Sequence, residues 1–110
     1  MTITSTRADN AVVLRINGRL DAITAPEFES ACQQCINPES GRVVLDFEGV
    51  EYISSAGLRA ILLVGKTVKS TGGALVLSGL RGTAKLVLEI GGFCTLFPVY
   101  DSAEVALESR

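Results

Sequence analysis

Short apolar runs alternate along the chain with segments whose apolar residues recur at helical spacing. Four apolar runs predict strands over 11–17, 43–47, 74–78 and 96–100. A more polar segment over 3–7 predicts a short partner strand for the first of them, and Gly18 is expected to end that first strand. The 43–47 run shows little alternation, which is typical of a strand covered on both faces.

The segment after Thr24 has the pattern of an amphipathic helix. Its apolar positions follow three or four residues apart, at Phe28, Ala31, Cys32, Cys35 and Ile36. Thr24 is predicted to cap this helix, with Glu27 completing a capping box, and Pro26 suits the first turn. Asn37 and Pro38 are predicted to end it.

Three further helices are predicted downstream. The longest spans 56–70 and is expected to pack through one face made of Leu58, Ile61, Leu62, Gly65 and Val68. The glycine pair at 72–73 is predicted to end it. A short helix follows over 83–90, and Asp101 with Glu104 predicts a capping box that opens a final helix.

The order of these elements predicts the fold class. Strands separated by helices imply parallel pairing through crossover connections, whereas the first two strands can pair antiparallel. We therefore expect an α/β fold, with a mixed sheet of four or five strands and about four helices packed against it. A chain of 110 residues has room for one domain, and we expect a single domain over 1–110.

Composition and charge exclude several classes of function. Ten Lys and Arg against twelve Asp and Glu give a net charge of −2, which does not favour nucleic-acid binding. The chain has no histidine, so the commonest general base and metal ligand is missing, and we expect no enzyme, no catalytic residue, no metal and no cofactor. Without a signal-like start or a membrane-length apolar run, we expect a cytoplasmic protein with reduced thiols and no membrane partner.

Two short motifs fit chemical signatures but lie in the wrong context for them. Residues 60–67 fit a permissive P-loop pattern, but they fall within a predicted helix, where the backbone N–H groups are already bonded. Cys32 and Cys35 form a C-x-x-C pair about two turns into a helix, on its apolar face, whereas a redox thiolate is stabilised at a helix N-terminus. A zinc site would need further ligands, and only Cys94 remains. We therefore predict core packing for this pair.

The stretch over 46–62, DFEGVEYISSAGLRAIL, carries the most specific pattern. It resembles the signature of the STAS domain, and specifically of the bacterial anti-sigma factor antagonists. Upstream, GRLDAITA over 18–25 looks like that family's Gly-x-Leu-Asp-x-x-Thr-Ala segment, and the glycine turns over 71–73 and 91–93 are similar too. The resemblance spans about residues 3–107, so it implies a single STAS domain with its core in that range.

The resemblance implies a partner-switching regulator. Such proteins bind an anti-sigma factor that is also a Ser/Thr kinase, and they are released when the kinase phosphorylates a serine at the start of the second helix. A metal-dependent Ser/Thr phosphatase then restores binding. The resemblance thus implies an anti-sigma factor antagonist in bacterial transcription regulation. No long apolar patch calls for a dimer, and we expect a monomer when the protein is free.

The phosphorylated position departs from the family pattern. Many members have Asp-Ser-Ser-Gly, with the serine directly before the glycine as the acceptor, but here that position is Ala56 and the Asp position is Ser54. We predict Ser55 as the acceptor, because a shift of one residue keeps the hydroxyl in the helix cap, and Ser54 is the second choice. A phosphate there adds about −1.5 to −2 charges beside helix N–H groups that can hold it without unfolding the domain.

The predicted partner-binding surface joins the two motifs to the basic side of the second helix. Arg59 and Lys66, with Lys69 less closely, share that side and would steer an acidic partner. Asp21 is predicted to orient the acceptor or to aid recognition by the kinase, although a turn before a helix is an equally simple role. The predicted partner-binding residues are Asp21, Thr24, Ser54, Ser55, Ala56, Gly57, Leu58, Arg59 and Lys66.

A second interpretation of the same pattern stays open. The chain can be a STAS module that does not switch, serving as a scaffold or a small-ligand sensor in a signalling complex. In that case the two serines only cap a helix, as serines commonly do. This alternative predicts a stable assembly and no phosphate.

Overall fold

The computed structural model describes residues 1–36, 39 and 41–109. In chain order the elements are β1 (Thr2–Ala8), β2 (Ala11–Leu20), α1 (Ala25–Cys35), β3 (Arg42–Ile53), α2 (Ser55–Ser70), β4 (Ala74–Ser78), α3 (Gly82–Ile90), α4 (Phe93–Leu96), β5 (Val99–Tyr100) and α5 (Ala103–Glu108). Over these described ranges, none of the helices combines the length and the apolar character that crossing a bilayer requires.

The five strands form one mixed sheet in the order β1-β2-β3-β4-β5. β1 pairs antiparallel with β2, and the remaining neighbours are parallel. The predicted α/β class and mixed sheet are therefore confirmed, and the described residues contain five helices where about four were expected. The extra helix is α4, a single turn.

The two faces of the sheet are covered unequally. The larger core packs α1, α2, α3 and α4 against one face, where Val43 and Leu45 of β3 point. The smaller core packs α5 against the other face, where Val44 meets Ala103 and Ala106. This double coverage explains why the 43–47 run lacks alternation, as the pattern predicted.

Both β2 and β3 continue beyond their predicted ends. β2 passes through Gly18, whose φ is +108°, and ends at Leu20, while β3 continues to Ile53. The two extensions hydrogen-bond to each other in parallel, with one register shift between Arg15 and Asn17 and a second between Gly18 and Arg19. The apolar pattern did not predict these extensions, because they contain polar residues and are stabilised by their hydrogen bonds to each other. The result is that β2 and β3 end side by side, where the chain leaves for α1 and α2.

Two predicted capping boxes are wrong in detail. Thr24 makes no side-chain cap to α1, because its hydroxyl donates instead to the carbonyl oxygen of Arg19, at 2.8 Å. α5 is capped by Ser102, whose Oγ accepts from the Val105 N–H at 3.2 Å, and not by Asp101. α1 begins directly after Thr24 as predicted, whereas α5 begins at Ala103, one residue later than a cap at Asp101 would place it.

The predicted strand over 96–100 is shorter than expected. Phe93–Leu96 form α4, and only Val99 and Tyr100 join the sheet as β5. Gly92 adopts a left-handed φ of +80°, and its carbonyl oxygen accepts hydrogen bonds from the N–H groups of Thr95 and Leu96. This turn includes Leu96, the first residue that the apolar pattern had assigned to the strand.

The ends of the helices agree with the predicted stop signals where these are described. α2 ends at Ser70, and Gly72 follows with a left-handed φ of +84°. The N–H groups of Gly72 and Gly73 donate to the carbonyl oxygens of Lys69 and Val68, which satisfies the end of the helix. α1 ends at Cys35, and its predicted stop at 37–38 lies outside the described residues.

The buried face of α2 includes Ile61, Gly65 and Val68 as predicted, but not Leu58 and Leu62. The residues that share this face are Gly57, Ala60, Ile61, Val64, Gly65 and Val68. Leu62 is instead exposed, and Leu58 is half-buried. Small residues bring the helix axis close to the sheet, and a search for large apolar side chains does not detect such a face.

The prediction that Cys32 and Cys35 pack in the core is confirmed, since Cys32 is fully buried and Cys35 packs at the edge of the larger core. Burial, with smaller contributions from Cys35 and Glu29, raises the pKa of the Cys32 thiol to about 12. Because the thiolate is the reactive form, we expect Cys32 in the folded protein to resist Ellman's reagent at pH 8 and to react only after unfolding in urea. A Cys32→Ser protein identifies the delayed signal, and rapid modification of Cys32 without denaturant would contradict the expectation.

Candidate functional site

The start of α2 presents two serines in different environments. Ser54 is the N-cap, with extended backbone angles, and its Oγ accepts from the N–H of Gly57 at 3.3 Å. Its carbonyl oxygen accepts from the N–H of Leu58 at 2.9 Å, which closes the first turn. Ser55 is the first residue of the helix and is exposed. The Ser54 hydroxyl is therefore engaged, whereas Ser55 faces solvent.

The first turn of α2 lies directly against the end of β2. The backbone N–H of Ser54 donates to the carbonyl oxygen of Leu20 at 2.9 Å. A Cβ placed on Gly57 would lie 2.5 Å from that same oxygen and 3.1 Å from Cγ2 of Ile53. Only a glycine permits this close approach, so Gly57 fixes where Ser55 is presented.

The loop from β2 to α1 is held by its own polar side chains. Oδ1 of Asp21 accepts from the N–H groups of Thr24 at 3.1 Å and Ile23 at 3.0 Å. The Thr24 hydroxyl accepts from the N–H of Asp21 at 2.9 Å. The bond from the Thr24 N–H is the main reason why the pKa of Asp21 lies below its usual value. The side chains of Asp21 and Thr24 thus stabilise the loop. The loop begins directly after Leu20, whose carbonyl oxygen accepts from the N–H of Ser54.

Arg19 links this loop to β3. Its guanidinium lies over the ring of Tyr52, 4.4 Å from the ring centroid, and its Nε is 3.7 Å from Oδ2 of Asp21. Neither Arg19 nor Tyr52 was predicted to contribute, because both lie in the strand extensions, which have no strand pattern of their own. The Gly-x-Leu-Asp segment, in which Arg19 occupies the variable position, was the only signal for it.

The outward face of α2 combines positive charge with apolar side chains. Arg59 lies one turn after Ser55, and Lys66 lies about two turns further along the same side. Both are exposed, and among the described residues neither forms an ion pair. Leu62 and Leu63 lie between them and are also exposed. We call these four residues with Ser55 the outward face of α2.

The structure brings most of the predicted partner-binding residues together around the first turn of α2. The exposed ones are Ser55, Arg59 and Lys66, the half-buried ones are Asp21, Thr24, Ser54, Ala56 and Leu58, and Gly57 is buried. Lys66 lies furthest from the acceptor, about 16 Å along the helix from Ser55 at a rise of about 1.5 Å per residue. Ile23, an exposed apolar residue between Asp21 and Thr24, was not among the predicted residues.

Other candidate groups lie elsewhere. Asp46 is 6% exposed, its Oδ1 accepts from the N–H of Glu48 at 3.0 Å, and its Oδ2 lies 3.4 Å from Nε of Arg15. Because side chains alternate along β3 and Leu45 faces α2, Asp46 points to the opposite face of the sheet. Its contacts are with residues of the sheet and not with the start of α2. The P-loop-like segment over 60–67 lies within α2 and is helical, as expected.

Over 1–36, 39 and 41–109, no three His, Cys, Asp or Glu side chains cluster as metal ligands.

Comparison with known proteins extends over nearly the whole chain. The family model described as the STAS domain matches residues 2–106. BtrV of Bordetella bronchiseptica, provisionally named an anti-sigma factor antagonist, is 37% identical over 106 residues, which are 96% of this chain and 91% of BtrV.

Solved structures agree with this assignment. The crystal structure of an anti-sigma factor antagonist from Mycobacterium paratuberculosis is 28% identical, with a TM-score of 0.82 over 97% of this chain and 91% of that one. A provisionally named anti-sigma factor antagonist from Thermotoga maritima has a TM-score of 0.87 at 24% identity, over 96% of this chain and 92% of that one, and this likeness concerns the fold. From the match over residues 2–106 and the identity to BtrV, we conclude that the chain belongs to the STAS domain family.

Proposed function

We propose that this protein is an anti-sigma factor antagonist that binds an anti-sigma factor with Ser/Thr kinase activity and is released by phosphorylation of Ser55. The observation that carries the proposal is the exposed Ser55 at the first position of α2, on a helix whose start is fixed against β2. A kinase can reach this hydroxyl without opening the fold. The action is regulatory binding in the cytoplasm, and the names of the relatives describe antagonists and no reaction.

The surroundings of Ser55 suit an added phosphate. Transfer of the γ-phosphoryl group of ATP to Oγ of Ser55 releases ADP and the hydroxyl proton. The resulting anion lies at a helix N-terminus, where the N–H dipoles are favourable to negative charge. Arg59 follows one turn later on the same side and can pair with it. The modified protein therefore keeps its fold, and the change concerns the surface.

Ser55 is favoured over Ser54 as the acceptor. The Ser54 hydroxyl is half-buried and caps the helix through the N–H of Gly57. A kinase that modified Ser54 would have to break this cap, at a cost of about 1 kcal/mol. Ser55 makes no hydrogen bond through its side chain among the described residues, so its modification costs no contact.

The same exposure supports reversal. A phosphate on Ser55 remains accessible to a metal-dependent Ser/Thr phosphatase, whose action returns the binding form. The second candidate function is a STAS scaffold or sensor that does not switch, favoured by Ala56 at the position where many members have their acceptor. The two functions differ in whether phosphate appears at the start of α2.

The test is phosphorylation by purified kinase-type anti-sigma factors from the organism that encodes this chain, each assayed separately. After incubation with ATP, we expect one added phosphate by intact mass, located at Ser55 by peptide mapping. Ser55→Ala should abolish the modification, while Ser54→Ala, the matched variant, should keep it. If the wild-type protein gains no phosphate while the kinase is active on itself or on another substrate, the phosphorylation switch is wrong and the scaffold function is favoured.

A further inference from the structure

Ile23 presents an apolar side chain to solvent beside the acceptor serine. Its exposure is 88%, the highest of the large apolar residues that the structure describes. A single exposed apolar residue is ordinary on a protein surface and needs no function. Ile23 differs from that ordinary case in the rigidity of its loop and in the residues that surround it.

The loop that carries Ile23 is held in one conformation. The N–H of Ile23 donates to Oδ1 of Asp21, the N–H of Ala25 donates to the carbonyl oxygen of Asp21 at 2.8 Å, and the Thr24 hydroxyl bonds to Arg19. A side chain on such a loop loses little backbone freedom when a partner covers it, so more of the contact energy appears as affinity. Hydrogen bonds of Asp21 and Thr24 thus stabilise a loop conformation in which the side chain of Ile23 is exposed.

Ile23 also follows closely on the end of β2 that holds the start of α2. The carbonyl oxygen of Leu20 accepts from the N–H of Ser54, and Ile23 follows Leu20 by three residues, a distance of at most about 11 Å along the chain. On α2 itself, Leu62 and Leu63 add exposed apolar area between Arg59 and Lys66. Ser55 therefore belongs to a surface that combines exposed apolar side chains with Arg59 and Lys66, neither of which forms an ion pair among the described residues.

We propose that Ile23 is the apolar anchor of the partner-binding surface. It inserts into an apolar cleft of the anti-sigma factor kinase, and the rim of that cleft is acidic where it meets the outward face of α2. The acidic rim follows from charge complementarity with Arg59 and Lys66, and the cleft follows from the shape and exposure of Ile23. This inference rests on the proposed function and names the partner's chemistry.

The experiment compares two equally drastic changes at exposed isoleucines. Ile23→Ser removes the anchor, and Ile90→Ser is the matched control, because Ile90 is 78% exposed at the end of α3, toward the opposite edge of the sheet. Affinity for a purified kinase-type anti-sigma factor from the same organism is measured calorimetrically, with unmodified protein and no ATP. We expect at least a tenfold weaker affinity for Ile23→Ser, less than a threefold change for Ile90→Ser, and recovery in Ile23→Leu.

The outcomes separate this inference from the proposed function. If wild-type protein binds and is released by phosphate on Ser55, but Ile23→Ser binds equally well, the anchor is wrong and the switch stands. An equal loss in Ile90→Ser also overturns the anchor, because the effect would not be local. If Ile23→Ser weakens binding while Ser55 never accepts phosphate, the anchor stands and the switch fails. Wild-type protein that does not bind overturns both.

Discussion

Phosphorylation of Ser55 is expected to weaken binding to the anti-sigma factor kinase at least tenfold, which corresponds to about 1.4 kcal/mol or more. The modification places about −1.5 to −2 charges on an exposed position of the outward face of α2. On docking, this charge loses its hydration and meets the acidic rim that the neighbouring Arg59 and Lys66 would otherwise attract. The measurement is the dissociation constant of the phosphorylated and unmodified proteins at the same ionic strength.

Matched variants separate charge from shape at this position. Ser55→Asp carries one negative charge and Ser55→Asn is nearly the same size without it, so we expect the first to bind more weakly than the second. Raising the salt concentration should narrow the difference, because exposed charges are screened. Equal binding by Ser55→Asp, Ser55→Asn and phosphorylated wild-type protein would show that charge does not control docking.

Gly57→Ala is expected to lower the free energy of unfolding by about 2 kcal/mol. The added Cβ would lie 2.5 Å from the carbonyl oxygen of Leu20, a backbone atom that cannot move aside without disturbing the end of β2. The start of α2 must then shift, which strains the bond from the Ser54 N–H to Leu20. Urea unfolding, followed by far-UV circular dichroism, measures the change.

Gly65→Ala in the same helix is the control for this substitution. There the added Cβ would meet the ring edge of Phe97, at 2.7 Å from Cζ, and this half-buried ring can rotate away. Alanine also favours the helix over glycine by about 1 kcal/mol, so we expect a net change within about 1 kcal/mol of zero. If Gly57→Ala is as mild as Gly65→Ala, the close seating of α2 on β2 is not important for stability.

The elements that local pattern predicted well are those whose local and tertiary preferences agree. α2 was predicted over 56–70 and spans Ser55–Ser70, because its start has a serine cap and its end has a glycine in the left-handed region. The β4 strand spans the predicted 74–78. Its consecutive apolar residues at 75–77 are buried on both faces of the sheet, as a short apolar run predicts. In these segments every nearby signal points to the same structure.

The elements that local pattern missed depend on partners far away in the sequence. The extensions of β2 to Leu20 and of β3 to Ile53 pair with each other across register shifts, and neither has the pattern of a strand alone. The face of α2 was predicted only in part, because the packing of Gly57 against Leu20 is a contact that exists only in the folded chain. The side-chain cap predicted for Thr24 is wrong because its hydroxyl donates to the carbonyl oxygen of Arg19 instead. Arg19 is positioned by the extension of β2, which local pattern did not predict.

The sequence by itself determined the α/β order of elements, the family pattern over both motifs, and the presence of Ser54 and Ser55 at the start of a helix. These properties follow from residue types and their spacing, which the chain carries before it folds. The tertiary structure alone decided which of the two serines has a free hydroxyl, how the β2–α1 loop is held beside them, and that Ile23 points into solvent. The hydrogen bonds behind these properties are short in sequence, from Ser54 to Gly57 and from Asp21 to Thr24, but the backbone that aligns them is positioned by a distant contact. The N–H of Ser54 donates to the carbonyl oxygen of Leu20, and this bond forms only when the sheet places β2 beside β3.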